Sequence, residues 1–211
     1  MRLVLASASP GRLAVLRGAG IDPVVRVSGV DEDTLAASLA DATPAELVTA
    51  LASAKADAVA ANIATEHPDV VIVGCDSMLH IDGELVGKPG CADAALRRWQ
   101  SMAGGTGELL TGHAVVRLDQ GVRTTTASGV RTTLIRFSTP SAEEIEAYVG
   151  TGEPLQVAGG FTLDGRGGWF VDGIDGDPSS VIGISLPLTR RLLAEVGVPV
   201  TSLWSGARDA G

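Results

Sequence analysis

Aromatic residues are scarce in this chain: Trp, Tyr and Phe together make up 3% of its 211 residues. Its core must be built mainly from Ala, Val, Leu and Ile, and a hydrophobic content of 45% supplies them. Lysine is rarer still, because of 16 basic residues only Lys55 and Lys88 are lysine. With 25 acidic residues the net charge is -9. That excess removes the basic footprint with which a duplex nucleic-acid binder displaces counterions. It also removes a polybasic membrane anchor. A small anionic ligand stays open, since it needs only a few local cations. Cys75 and Cys91 have neither metal-ligand spacing nor a disulfide framework. No apolar run approaches the ~18–20 residues of a membrane span. The run Leu3 to Ala6 is too short for the apolar part of a signal peptide and reads as a first strand, so the expected location is the cytoplasm.

Gly and Pro together are under a fifth of the chain, below the roughly 25–30% of low-complexity disorder. No repeat or linker divides the sequence, and a single domain over 1–211 is expected, with a peripheral tail after about residue 200. The near-absence of lysine fits a GC-rich genome that drifts surface Lys to Arg. A lysine that survives such drift is either a chance survivor or marks a place where a compact point charge is needed, because the two cations are not interchangeable.

Along the chain, Arg2–Ala6 reads as a buried strand, followed by a helix with Ser9 as N-cap and Pro10 in its first position. Pro23–Ser28 reads as a second strand and Val30–Asp33 as an acidic loop. Thr43-Pro44-Ala45-Glu46 is a capping box that opens a long Ala-rich helix to about Ala64, with Lys55 on it. Asp69–Cys75 has parallel-strand character and is expected to stop at Asp76. Met78–Ile81 and Glu84–Val86 form a hairpin about Asp82-Gly83. A helix over Ala92–Met102, strands over Glu108–Arg117 and Val122–Phe137 broken by turns, and a helix capped by Ser141 follow. A Gly-rich stretch to Gly183 and a last helix over Leu186–Val196 complete the pattern, and the tail after Thr201 is expected to fray, apart from Trp204. Alternating helices and strands with a strand-rich middle predict a mixed α/β domain around a long twisted sheet.

Several residues could carry chemistry. The strand, Ser/Pro turn and helix start at Ser7–Arg12 has the form of an anion site, with free N–H groups, two hydroxyls and a guanidinium. Taken alone, the same residues also read as an ordinary strand-to-helix connection with a capping Ser, the commoner case. No Walker A loop is present. Asp76 follows a buried strand, where a carboxylate holds a metal, takes a proton from water or simply caps a turn. Mg²⁺ favours one or two carboxylates plus substrate phosphates, so Glu32 and Asp76 are enough in principle. His67, His80 and His113 lack partners at metal spacing and read as structural. Trp99, Trp169 and Trp204 read as packing residues. An anion turn, two lysines, an arginine and two carboxylates together suit a triphosphate, whose cleavage is largely positioning and electrostatic stabilisation.

In chain order stand Ala6-Ser7-Ala8-Ser9-Pro10-Gly11-Arg12, Ala54-Lys55-Ala56, Gly74-Cys75-Asp76-Ser77, Gly87-Lys88-Pro89, Thr111-Gly112-His113 and Gly152-Glu153-Pro154. Ala158-Gly159-Gly160-Phe161, Gly176-Asp177-Pro178 and Val181-Ile182-Gly183 follow. This ordered set, spanning the chain to about Val196, resembles the Maf family of nucleoside triphosphate pyrophosphatases, also described as septum formation proteins. The resemblance implies hydrolysis of a nucleoside triphosphate to the monophosphate and pyrophosphate with a divalent metal, Mg²⁺ or Mn²⁺. It implies two lobes around a cleft, as in inosine triphosphatases, and a homodimer. It makes Asp76 the acceptor of the water proton, places Glu32 and Asp76 at the metal, and sets Ser7, Ser9, Arg12, Lys55 and Lys88 on the substrate. At the three specificity positions the branch acting on dTTP and UTP has Arg, Thr and Gln, and the branch acting on 7-methyl-GTP has Trp, Gln and Glu. Gly11, Ser77 and Asp164 stand there in this chain and match neither set. A nucleotide-binding regulator of septum formation with weak or no turnover is the alternative.

Overall fold

The long Ala-rich helix begins where its sequence signals place it. The Thr43 hydroxyl accepts from the Glu46 N–H while the Glu46 carboxylate accepts from the Thr43 N–H, and α3 (Pro44–Ile63) runs on from that box. The same reciprocal cap at Ser141 and Glu144 opens α5 (Ala142–Gly150). Ser9 caps α1 (Pro10–Gly18), with Pro10 in the first turn. In the computed structural model, which describes residues 1–205, these helices flank one mixed sheet. Its strands are β1 (Arg2–Leu5), β2 (Val24–Val25), β3 (Val70–Ile81), β4 (Glu84–Val86), β5 (Thr106–Asp119), β6 (Val122–Phe137) and β7 (Val171–Asp175). The remaining helices are α2 (Glu32–Ser38), α4 (Ala92–Met102), α6 (Pro178–Ile182) and α7 (Leu186–Glu195).

The order across the sheet is β2-β1-β3-β5-β6-β7, with β4 added beside β3. β1 is parallel to β2 and to β3, and every later pairing is antiparallel. The long β3 organises the molecule. One edge of it pairs with β5 from Val70 to His80. The other edge pairs with β1 only over Val70–Val73 and with β4 only over Leu79–Ile81. The edge of Gly74–Met78 therefore has no strand partner on that side.

Three packed clusters meet at this break. Around the first half of β3, one face packs Leu5, Val73 and Val115 against Leu16 of α1 and Leu192 of α7. The opposite face packs Val4, Ile72 and Val116 against Ala52, Ala56 and Val59 of α3. Beyond Met78, Leu79 and Ile81 join a separate core with α4 and α5. Five of the seven aromatic residues gather there, with Trp99 edge-on to Phe137, Tyr148 and Phe170. The few aromatics of the chain are thus spent in one lobe. Between the cores lies a polar waist of Asp76, Ser77, Thr111 and His113.

Several expectations are corrected. β3 does not stop at Asp76 but continues to Ile81, because pairing with β5 goes on through the polar residues. Glu32 is not in an open loop. It begins α2, whose N-cap Asp31 accepts from the Thr34 N–H and hydroxyl. The Pro23–Ser28 strand shrinks to Val24–Val25, since only Val4 and Leu5 pair with it. β5 and β6 are single strands of 14 and 16 residues rather than broken runs, and each pairing irregularity is absorbed locally. The hairpin about Asp82-Gly83 forms as expected, with both residues at positive φ. Trp99 is buried, but Trp169 is 86% exposed and Trp204 is also exposed, so the packing role holds for one tryptophan of three. The tail expected to fray is ordered to Ser205, whose N–H donates to the Gly20 carbonyl at 2.7 Å; residues 206–211 lie outside the described residues.

Candidate active site

Side chains alternate along β3, and that alternation distributes the polar waist. Ile72, Gly74 and Asp76 face α3, while Val73, Cys75 and Ser77 face α1 and α6. α3 lies directly on the sheet because Gly74 and Gly112 leave it room. A Cβ on Gly74 would stand 2.3 Å from the Ala52 carbonyl oxygen, and one on Gly112 would stand 2.1 Å from that of Val48. This close approach lets Lys55 of α3 reach Asp76. The Lys55 ammonium donates to Asp76 Oδ1 at 2.6 Å and pairs with Glu32 Oε1 at 2.9 Å. Lys55 and Asp76 are each 6% exposed. Burial pushes the Asp76 carboxyl up from its ordinary value, against the opposing pull of Lys55 and Arg12. Asp76 Oδ2 is buried with no hydrogen-bond partner, so this oxygen is free to accept a proton or bind a cation.

On the other face, Arg12 closes the unpaired edge of β3. Its Nη1 donates to the Cys75 carbonyl at 2.7 Å and to Ser7 Oγ at 3.1 Å. Its Nε donates to the Gly183 carbonyl at 2.8 Å, and its Nη2 to Ser77 Oγ at 3.3 Å. A guanidinium has five N–H donors, so one on Nη2 remains without a protein acceptor among the described residues. Ser7 Oγ also accepts from the Ser9 N–H at 3.1 Å. With two N–H donors on Ser7 Oγ, its own proton has no acceptor among the described residues. Ser9 Oγ accepts from the Arg12 N–H at 3.4 Å as the cap of α1. Lys88 arrives from the opposite side. Val86 pairs with Leu79, and continuing that register carries Gly87 and Lys88 back along β3 toward Ser77. Lys88 is exposed and makes no ion pair among the described residues.

The three positions expected to set specificity are dissimilar. A Cβ on Gly11 would lie 3.1 Å from Ile182 Cγ2 and 3.2 Å from the Ile182 carbonyl oxygen, so α6 fills the space a larger residue would claim. Ser77 Oγ joins Arg12 to Thr111 Oγ1. Asp164 is exposed on a loop wrapped around Glu153. There Glu153 Oε1 accepts from the Thr162 hydroxyl at 2.5 Å and the Gly167 N–H at 3.1 Å. Partial burial works to raise the Glu153 carboxyl, but these donors outweigh it and the net shift is downward. The structure thus joins Ser7, Ser9, Arg12 and Ser77 by hydrogen bonds on one face of β3 and Glu32, Lys55 and Asp76 by ion pairs on the other, brings Lys88 to their edge by register, and leaves Asp164 on a separate loop. A cavity of about 350 Å³ beside Trp169 lies elsewhere, near the far end of β6. Arg136 stands six strand positions from Val130, which is level with Asp76, roughly 20 Å at strand rise.

A second polar cluster, not anticipated from the chain, holds α6 against the Arg12 pocket. Asp177 accepts from the Ser185 hydroxyl and from the Ser179 N–H and hydroxyl, at 2.9 and 2.7 Å for the latter pair. The Ser185 N–H donates to His113 Nε2 at 2.8 Å, while His113 Nδ1 lies 3.0 Å from the Thr111 carbonyl. A backbone N–H on one ring nitrogen and a carbonyl on the other define a neutral ring with its proton on Nδ1. Protonation would set N–H against N–H. Burial accordingly lowers His113 from 6.5 to about 4. The unfolded chain then binds a proton that the native state refuses. Native stability is full above pH 6.5 and falls between pH 6.5 and about 4, by about 3 kcal/mol in total. Asp76, with its raised value, acts in the opposite sense, so the contribution is read as a difference. Urea unfolding at pH 7 and pH 5 is expected to show a smaller pH loss in His113→Gln than in the parent. Equal losses would refute it.

Residues 2–196 match the family described as Maf-like protein. The chain belongs to the Maf family. A nucleoside triphosphate pyrophosphatase of Saccharopolyspora erythraea is 66% identical over 205 residues, covering 97% of each chain. Proteins of the same name from Rhodococcus opacus and Mycobacterium marinum are 62% and 54% identical; the alignments cover 96% and 97% of this chain, and 95% and 97% of the relatives. In this chain Gly74 and Gly112 lie where α3 passes over the sheet, and Thr111 and His113 help to hold α6. Sequence reasoning gave no role to Gly74, Gly112, Thr111, Asp177 or Glu153. Their recurrence in the motif set was the one available signal.

Proposed function

We infer that this chain is a nucleoside triphosphate pyrophosphatase, which hydrolyses a nucleoside triphosphate to the monophosphate and pyrophosphate. The observation that carries the reading is Asp76: a buried carboxylate gripped by Lys55, with one oxygen free, at the unpaired edge of β3. Water attacks the α-phosphorus, its proton passes to Asp76 Oδ2, and the bond from the α-phosphorus to the bridging oxygen breaks to release pyrophosphate. Lys55, Lys88, the remaining Arg12 N–H, the Ser7 hydroxyl and the free N–H groups at the start of α1 attract the phosphates. A divalent cation, Mg²⁺ or Mn²⁺, fits the donor set, because Asp76 Oδ2 is buried and unpaired and Glu32 shares Lys55 with it. Held by Asp76 and Glu32, it would neutralise phosphate charge.

Incubating the purified chain with a panel of standard and modified nucleotides, with and without each metal, tests the reading. Monophosphate and pyrophosphate are the expected products. Release of orthophosphate with a diphosphate, or no turnover, would overturn it. The same panel reads the base preference set at Gly11, Ser77 and Asp164, and a role in removing surplus or non-standard nucleotides. A cytoplasmic location and a homodimer belong to the same proposal, the latter checked by sedimentation.

The lysines make a separate test. Lys55 is buried between two carboxylates at 2.6 and 2.9 Å, where a planar fork is a bulkier fit than an ammonium. Lys55→Arg is expected to lower kcat/KM by about tenfold or more, and the exposed Lys88→Arg by about threefold. Parental kinetics in both variants would refute the argument.

A further inference from the structure

The Gly87–Gly90 segment that carries Lys88 has no regular structure of its own, yet it is fastened from two directions. Arg98 Nη1, from α4, donates to the Gly87 carbonyl at 2.6 Å. The Gly159 N–H donates to the same oxygen at 3.1 Å, and the Gly90 N–H donates to the Leu155 carbonyl at 2.9 Å. One residue along α4, Trp99 Nε1 donates to the Gly160 carbonyl at 2.9 Å. Gly160 sits so close to this segment that a Cβ on it would lie 3.0 Å from Pro89 Cγ and 3.6 Å from Arg98 Cδ. Adjacent residues of one helix thus hold both the segment of Lys88 and the start of the loop that carries Asp164.

Arg98 is unusual for a structural arginine. It is part-buried, and among the described residues it pairs with no carboxylate. Desolvation lowers its pKa. A guanidinium in that position costs free energy that a carbonyl bond only partly offsets, so a neutral residue would serve packing as well. What the guanidinium supplies is a fixed, charge-assisted bond to the carbonyl next to Lys88.

We propose that Arg98 is a positioning residue for triphosphate binding: by holding the Gly87 carbonyl it sets the direction from which Lys88 meets the phosphates. The inference rests on the pyrophosphatase reading and on Lys88 as a phosphate ligand. Arg98→Met keeps the stem beside Gly160 and removes the donor. Its KM for the triphosphate rises by about tenfold while kcat changes less than about threefold, because ground-state binding is what is lost. Arg98→Lys, which restores one donor and the charge, returns KM to within about threefold of the parent. In a Lys88→Met background, Arg98→Met adds less than about twofold, since both changes remove the same contact.

The arms separate the failures. Absence of pyrophosphate as a product defeats the pyrophosphatase reading itself. Parental KM in Lys88→Met defeats the Lys88 assignment and the proposal with it. A raised KM in Lys88→Met with parental KM in Arg98→Met defeats the proposal alone. A full tenfold effect of Arg98→Met in the Lys88→Met background also defeats it, because Arg98 would then act on something other than Lys88. Circular dichroism and thermal unfolding of each variant confirm that the folded enzyme is being compared.

Discussion

Asp76→Asn is expected to lower kcat by about a thousandfold or more while leaving the metal-free affinity for a non-hydrolysable triphosphate analogue within about threefold of the parent. The amide keeps the shape of the carboxylate and can still meet the Lys55 ammonium through its oxygen, so α3 stays in place. What disappears is the proton acceptor at Oδ2, the atom the fold leaves without a partner. Glu32 cannot substitute, because it reaches this region only through Lys55 and is more exposed. Folding should tolerate the change. Burial raises the Asp76 carboxyl above its ordinary value, so a neutral isostere escapes that desolvation, and Lys55 keeps Glu32 as its counter-charge at 2.9 Å. Thermal unfolding within a few degrees of the parent, combined with the loss of turnover, is the expected signature. Retention of more than about a tenth of kcat would assign the proton transfer to another group. The same variant separates an enzyme from a nucleotide-binding regulator, whose phenotype it would spare.

The helices were the most legible part of the fold. Ser9, Thr43 and Ser141 announce their helix starts by capping chemistry that acts within a few residues. The path of β3 through Asp76 was not legible in the same way. A buried strand was expected to end at a carboxylate, but its hydrogen bonds come from β5, more than thirty residues away, which holds Asp76 and Ser77 in register. Glu32 was misread for a related reason: Asp31 begins a short helix whose acidic residues look like a solvated loop. At the site, the residue types were recognisable, and their arrangement was not. Nothing local says that Arg12 uses four of its donors on protein atoms. Nor does the sequence say that Lys55 is shared by two carboxylates rather than directed only at substrate. The motif glycines were visible as letters, but their reason is the distance between a helix and a sheet.

That distance makes Gly112→Ala the tightest methyl addition at any glycine among the described residues. Its Cβ would lie 2.1 Å from the Val48 carbonyl oxygen, 2.3 Å from the carbonyl carbon and 2.7 Å from the Thr49 nitrogen. All three are backbone atoms of α3, which no rotamer change can move. β5 cannot retreat either, since β3 and β6 pair with it on both sides. The helix must lift, and with it go the contacts of Val48, Leu51, Ala52 and Ala56, all fully buried. A loss of about 3 kcal/mol or more follows, at the upper end for overpacked sites. For a chain of this size that corresponds to a fall in Tm of about 6–12 °C. Activity should fall further than stability accounts for, because Lys55 rides on the same helix and is held to Asp76 by a 2.6 Å contact. Gly18→Ala supplies the control: it lies at the end of α1 with nothing within 4 Å and an ordinary φ. There the methyl is expected to leave Tm unchanged or slightly raised. Equal Tm values for the two variants would mean that α3 does not rest on the sheet at Gly112, and the geometry that brings Lys55 to Asp76 would fall with it.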